Sequence, residues 1–196
     1  MLRFVTVSAI VFALGAPSLG RTATWEIDPN HTGVQFSVRH LMVSNVRGEF
    51  GKVSGTVTVN DADITKSVIE ATIDVASINT RNEKRDEHLR SPDFFDAAKY
   101  PTITFKSTKA EKTSTGWKVT GNLTMHGVTK PATLDVEGPT PEIKDPQGKT
   151  RAGAQATTKI DRQDFGISWN KALDAGGVTV GNEVSVTIDV EAVKKP

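Results

Sequence analysis

The sequence predicts an all-β protein, an antiparallel barrel of about eight strands with a short helical insert that caps one end. Eight runs alternate strictly between apolar and polar side chains and are rich in Val, Ile and Thr, which is typical of half-buried antiparallel strands. Only one stretch carries helical signals, so helices cannot cover the apolar face of the sheet. That face must bury itself, because eight open strands would leave two exposed edges. An eight-stranded barrel has an interior that holds one small ligand.

The alternating runs follow one another along most of the chain. In each run the apolar side chains share one face, and threonines and charged residues take the other. The last run is the cleanest, with Val184, Val186, Ile188 and Val190 set against polar neighbours. The eight runs are residues 34–38, 53–59, 69–75, 103–105, 117–125, 132–136, 152–160 and 184–190.

Residues 80–105 interrupt this pattern with the helical insert. Thr80 and Glu83 have the spacing of a capping box, and Asp86 and Arg90 have the i,i+4 spacing of a helical ion pair. Pro92 ends that turn, and two adjacent phenylalanines follow in a polar setting. One interpretation is a helix that simply covers an open end of the sheet. The other is a lid over a ligand cavity.

The chain divides into a signal peptide, residues 1–20, and a single domain, residues 21–196. The apolar run 4–16 is too short to span a membrane and is followed by Pro17 and small residues, so we expect cleavage after Gly20, with Ala16 or Ala23 as alternatives. The mature product then has no stable membrane anchor, and the predicted compartment is the periplasm. The proline-rich segment 138–148 is the longest connection and is expected to shape one rim.

Composition argues against several classes of partner and site. Removing Arg3 with the signal peptide takes 24 basic side chains to 23, equal to the 23 acidic ones, and no basic block stands out to bind nucleic acid. The chain has no cysteine, so it cannot form a disulfide, a thiolate metal site or a cysteine nucleophile. Its four histidines show neither i,i+4 nor H-x-H spacing, so no local pattern indicates a metal.

Few polar residues suggest chemistry. The cluster 161–164 supplies either an acid or base, or a turn with a local ion pair. Asn79, Thr80 and Arg81 precede the helix, where they either meet a polar head group or only help to cap it. The head-group candidates are His40, Asn79, Arg81 and Arg162.

Four ordered segments identify a resemblance. They are ATWEIDPNHTGVQFSVRHL at the start, RDEHLRSPDFFDAAKYPTITFKS in the insert, GNLTMHGVTKPATLDV, and DRQDFGISWNKALDAGGVTVGNEV near the end. Over essentially the whole mature length the chain resembles the YceI-like family of periplasmic lipid-binding proteins. The resemblance implies a lipocalin-like barrel that holds an isoprenoid or another long-chain amphiphile in its pore, as carrier or reservoir and without a cofactor. It leaves a homodimer open.

The predicted pore and lid combine the inward faces of the runs with the apolar residues of the insert and of the segment after residue 164. Their residues are Val34, Phe36, Val38, Phe50, Val57, Ile73, Leu89, Phe94, Phe95, Ile103, Phe105, Leu123, Met125, Leu134, Phe165, Trp169, Val186 and Ile188. An alternative function is a barrel enzyme for a small apolar substrate, with His40, Asp161 or Arg162 as acid or base. A third is a structural or stress-related module whose outer surface binds a protein.

Overall fold

The computed structural model describes residues 22–174 and 176–196. The predicted signal peptide and its cleavage after Gly20 lie outside these residues. One α-helix, α1, spans Glu83–Arg90, and short 3₁₀ turns occupy Ile64–Lys66, Val75–Ser77 and Arg162–Phe165. The strands of the described chain are β1 Thr22–Ile27, β2 Gly33–His40, β3 Ser44–Phe50, β4 Val53–Asn60, β5 Val68–Asp74, β6 Ile78–Asn79, β7 Thr102–Lys112, β8 Trp117–Met125, β9 Val128–Glu137, β10 Ile143–Lys144, β11 Thr150–Asp161 and β12 Val180–Lys194.

Eight strands close into a ring in which every pair is antiparallel. Its order is β1, β4, β5, β7, β8, β9, β11 and β12, and β12 pairs back to β1 through Trp25 and Lys194. The predicted eight-stranded barrel with one short helix is therefore confirmed. Strand β12 is long enough to serve two neighbours on one edge, since its last residues pair with β1 and its first part pairs with β2.

The membership of the ring differs by one strand from the eight alternating runs. The run 34–38 falls in β2, which lies beside β12 and continues into the β2–β3 hairpin outside the ring. Its place in the ring is taken by β1, a short strand whose only large apolar side chains are Trp25 and Ile27. Two apolar residues at i,i+2 are too few to stand out as an alternating run.

The barrel has two unlike ends. At the helical end the chain enters β4 at Val53, leaves β5 at Asp74 and leaves β8 at Met125, and α1 and the segment after β11 lie there. At the loop end the connections are the 3₁₀ turn after β4, the tight β7–β8 hairpin and residues 138–149 after β9. The buried hydrophobic cluster gathers at the helical end, where it includes Ile78 and Ile103.

The predicted start of the helix is wrong. Asn82 caps α1 by accepting the backbone N–H of Arg85 at 3.1 Å. Thr80 lies two residues earlier and donates both its N–H and its hydroxyl to the buried carboxylate of Asp86, at 2.9 and 2.5 Å. Because Asp86 is engaged in this way, the predicted Asp86–Arg90 pair does not form either. Arg90 instead donates to the carbonyls that precede the helix.

Candidate ligand-binding site

A cavity of about 470 Å³ lies inside the barrel. This volume lies within the range of pockets that enclose small-molecule ligands, roughly 300–1,000 Å³. Every ring strand contributes to its wall, together with β2, the end of β3 and the helical insert. Most of the wall is aliphatic or aromatic. The polar side chains that reach it are those of Asp61, Ser67, Ser107, Thr140, Glu142, Thr158, Arg162 and Lys194.

The inward faces of the alternating runs form most of this wall. The pairing of the strands explains why these inward faces and the cavity wall coincide. Val186 lies opposite Phe36, and Ile73 lies opposite both Val53 and Ile103. Residues of one parity therefore stay on one face around the ring. Of the predicted pore and lid residues, the wall contains Val34, Phe36, Val38, Phe50, Val57, Ile73, Leu89, Phe94, Phe95, Ile103, Phe105, Leu123, Met125, Leu134, Val186 and Ile188.

Two of the predicted pore residues do not reach the cavity. Phe165 is buried behind the wall, in the 3₁₀ turn after β11, where its carbonyl lies 3.1 Å from Nδ1 of His126. Trp169 packs its ring against His88 and Phe94, at centroid distances of 5.1 and 5.2 Å. Both residues follow the last regular pairing of β11, so strand alternation could not predict which way they face.

Three of the four head-group candidates also lie away from the cavity. His40 ends β2 opposite Ser44 and Val180, beside the hairpin turn. Asn79 is exposed and accepts the backbone N–H of Arg81, whose own backbone is left-handed with φ 61°. His40 is half-buried outside the cavity lining, whereas Asn79 and Arg81 are exposed on the outer surface of the helical end.

Arg162 is the one head-group candidate that reaches the wall, and it is only 4% exposed. Its guanidinium donates to the carbonyls of Ile167, Gly181 and Val180 at 2.6, 2.9 and 3.3 Å. Burial lowers the pKa of this group from its ordinary value. Within residues 22–174 and 176–196 no carboxylate forms a salt bridge with it, so a cation held by backbone carbonyls ties the segment after β11 to β12.

The helical insert forms the closed floor of the cavity. Phe94 is 6% exposed and Leu89 and Phe95 are partly buried, and all three border both the cavity and the buried cluster. Phe95 meets Phe50 edge to face at 5.7 Å. The floor residues Ile103, Met125 and Ile167 are buried as well. The insert thus caps one end of the barrel, as predicted, and it does so as part of the core.

The cavity opens at the loop end, through an opening that we call the mouth. Its rim consists of Asp61 and Ile64 on one side and of Pro139, Thr140 and Glu142 on the other. These rim residues are exposed, in contrast to the floor. Glu142 and Lys194 form an ion pair at the rim, with Oε1 and Nζ 3.0 Å apart. The proline-rich segment after β9 therefore does shape one rim, with β10 paired to the start of β11.

The comparisons with known proteins decide the family. A model of the YceI-like domain matches residues 25–192. The chain belongs to the YceI-like family. Protein YceI of Escherichia coli is 36% identical over 195 residues, which cover 97% of this chain and 96% of that protein. A UPF0312 protein of Vibrio parahaemolyticus is also 36% identical over 195 residues, covering 98% of this chain and 97% of that protein.

Two solved structures share the architecture. The Campylobacter jejuni YCEI protein is 36% identical, with a TM-score of 0.67, and the match covers 81% of this chain and 90% of that one. A polyisoprenoid binding domain from Saccharophagus degradans has a TM-score of 0.63 at 17% identity, with 87% of this chain and 98% of that chain covered. At 17% identity the second likeness concerns the fold. The family model and the curated relatives thus show the YceI-like family from the sequence, and the two solved structures show the same fold.

The enzyme interpretation required titratable groups that converge inside the pore. Of its three candidates only Arg162 borders the cavity. Asp161 is exposed and accepts the backbone N–H of Gln163 at the start of the 3₁₀ turn, and His40 is half-buried outside the cavity lining. The predicted acid and base therefore do not converge inside the cavity.

A charged cluster on the outside of the barrel also has no connection with the cavity wall. Asp28, His31 and Glu191 lie close enough together to resemble a set of metal ligands. One guanidinium nitrogen of Arg151 donates to both carboxylates at 2.6 Å, and another donates to Asp145 at 2.6 Å. These carboxylates thus share the single positive charge of one arginine, and the cluster ties the segment after β9 to β1 and β12.

No α-helix among the described residues is both long and apolar enough to cross a membrane.

Proposed function

We propose that this YceI-like protein is a periplasmic carrier or reservoir that holds one long-chain amphiphile, of the isoprenoid class, in its barrel cavity. The observation that carries the proposal is the cavity itself, a closed-floored space of about 470 Å³ whose wall is overwhelmingly hydrocarbon. Moving a CH₂ group of a lipid tail from water into such a space is worth roughly 0.8 kcal/mol. The export that places it in the periplasm rests on the predicted signal peptide.

The depth of the cavity favours a long tail. Its wall follows β12 from Val184 to Lys194, ten residue steps that span about 34 Å along the strand. With strands tilted by about 40°, the depth along the barrel axis is about 26 Å. A single leaflet is about half of a 30 Å hydrocarbon core. The cavity is therefore deep enough for an extended tail longer than one leaflet.

The distribution of polar groups favours one orientation of that ligand. Most of the polar wall residues gather at the mouth, among them Asp61, Thr140, Glu142 and Lys194. At the floor, Arg162 has its donors directed to backbone carbonyls. An amphiphile buries its tail and keeps its head group hydrated, so it should enter tail first, with the head group at the mouth. The structural neighbour named as a polyisoprenoid binding domain supports the ligand class.

The decisive experiment is native mass spectrometry of the gently purified protein, followed by titration with a fluorescent polyprenyl lipid. We expect a bound hydrophobic ligand and saturable uptake of the probe. Ala132→Phe places a ring in the mid-barrel wall and should abolish uptake, whereas Thr133→Phe, on the outer face of the same strand, should not. An empty wild-type barrel that takes up no polyprenyl probe after delipidation would refute the proposal.

A further inference from the structure

We infer that the loop end is a docking surface for a lipid bilayer, so that the cavity is loaded and unloaded with its mouth against the membrane. This inference rests on the proposed function, since it concerns how a bound lipid would enter and leave. The floor is closed by buried residues of the helical insert, including Phe94, and the rim at the loop end is exposed. A tail that left the bilayer elsewhere would have to cross water, which the hydrophobic effect opposes.

The rim carries apolar side chains that are exposed to solvent. Ile64 lies in the 3₁₀ turn after β4, is 40% exposed and itself borders the cavity. Ile143 lies in β10, directly after the rim residue Glu142, and is 63% exposed. A single exposed isoleucine on a protein surface is unremarkable. Two that flank the opening of an apolar cavity are placed to enter the boundary between head groups and acyl chains.

The charges around these isoleucines suit a lipid surface. Lys66 and Lys144 follow the two isoleucines within two residues and are exposed, and Lys66 forms an ion pair with Asp63 at 3.2 Å. Lys112, Lys144 and Lys149 all lie at the loop end, and within the part of the chain that the structure describes they take part in no salt bridge. Exposed lysines beside apolar residues are the pattern that binds anionic head groups at a membrane interface. Glu142, the acidic group beside Ile143, is already paired with Lys194.

A bilayer fits this surface better than a folded protein does. The apolar contribution comes from two side chains on separate segments, the 3₁₀ turn after β4 and strand β10, and these offer no continuous groove for a helix or strand. A fluid surface needs no matching shape, and contact with it places the ligand reservoir directly against the mouth. A protein donor is the alternative occupant, and the experiment distinguishes it.

The test measures transfer of a fluorescent polyprenyl probe from vesicles of phosphatidylethanolamine and phosphatidylglycerol to the mature protein. We expect the rate to rise with vesicle concentration and to fall at least about tenfold in I64E/I143E, since these side chains lose apolar contact with the bilayer. The matched control is V43E, because Val43 is 74% exposed at the tip of the β2–β3 hairpin, at the opposite end. This control should transfer the probe as the wild type does.

The outcomes separate the two proposals. Wild-type rates in I64E/I143E, or a loss of transfer in V43E instead, would overturn the docking surface while leaving lipid binding intact. A rate independent of vesicle concentration would overturn it as well, because the probe would then be moving through water. If probe supplied in ethanol without vesicles is not bound by any form, the proposed function itself fails. Equal final uptake by all three proteins, with different rates, is the result that supports docking.

Discussion

Phe94→Ala and Phe95→Ala should separate the two roles of the cavity floor, which are to stabilise the fold and to retain the ligand. Phe94 is 6% exposed and its ring packs against His88 and Trp169 at 5.0 and 5.2 Å. Truncating a fully packed phenylalanine costs about 3–5 kcal/mol. For roughly 175 residues the entropy of unfolding is about 370 cal/mol/K, so Tm should fall by about 8–14 °C.

Phe95→Ala should lower the stability less than Phe94→Ala does, and it should speed the release of the ligand more. Phe95 is only partly buried and faces the cavity beside Phe50. The substitution then removes about half of the apolar area that a fully buried ring would contribute. This loss corresponds to roughly 2 kcal/mol of stability and a fall in Tm of about 5 °C. Losing about 50 Å² of apolar contact with a bound tail removes about 1.3 kcal/mol, which is close to a tenfold faster release.

Two measurements on each variant are sufficient. Melting is followed on lipid-stripped protein, so that bound ligand does not contribute to stability, and release is followed by diluting protein loaded with a fluorescent polyprenyl probe. Equal losses of Tm with unchanged release in both variants would show that both rings are only core. Faster release from Phe94→Ala with an unchanged Tm would reverse the assignment and refute the reasoning from burial.

Two further predictions concern charged groups. The Arg151 guanidinium holds the pKa of Asp28 and Asp145 below the usual range, so their stabilising effect is present above about pH 4 and is lost as the pH falls through the lowered values. The free energy of unfolding, measured by urea denaturation from pH 7 downward, should fall with pH in the wild type and fall less steeply in Arg151→Gln. The same dependence of this free energy on pH in both proteins would contradict the prediction. Arg162→Met leaves buried carbonyls without donors and should cost on the order of 3 kcal/mol in the same assay. A neutral effect would mean that the carbonyls find other donors.

The wall of the cavity was predictable because strand parity is a local property. Once Val186 points inward, Val184 and Ile188 must follow, and pairing with β2 and β11 carries the same parity to the neighbouring strands. Glycine and alanine in the runs did not blur this signal. The adjacent phenylalanines of the insert could be placed near the floor for a similar reason, since a polar segment has few other uses for two large apolar rings.

The ends of the barrel were not predictable in the same way. Glu142 meets Lys194 across 52 positions of sequence, and Arg162 finds its acceptors on a different strand. Two residues could have capped α1. Because Thr80 donates to Asp86, Asn82 is the residue that caps the helix. Each of these contacts depends on which loops the closed ring brings together. The local spacing of residues in the sequence does not show which loops will meet.

The floor and the wall share residues, and this constrains how the ligand preference of such a barrel can change. Phe50, Ile103 and Met125 belong both to the buried cluster and to the cavity lining. A substitution that reshapes the pore there also removes packing from a chain that has no cysteine and hence no disulfide to compensate. The rim residues carry no such double role, because Ile64 and Glu142 are exposed. Ligand preference can therefore vary at the mouth with little cost in stability, whereas the depth of the pore remains tied to the fold.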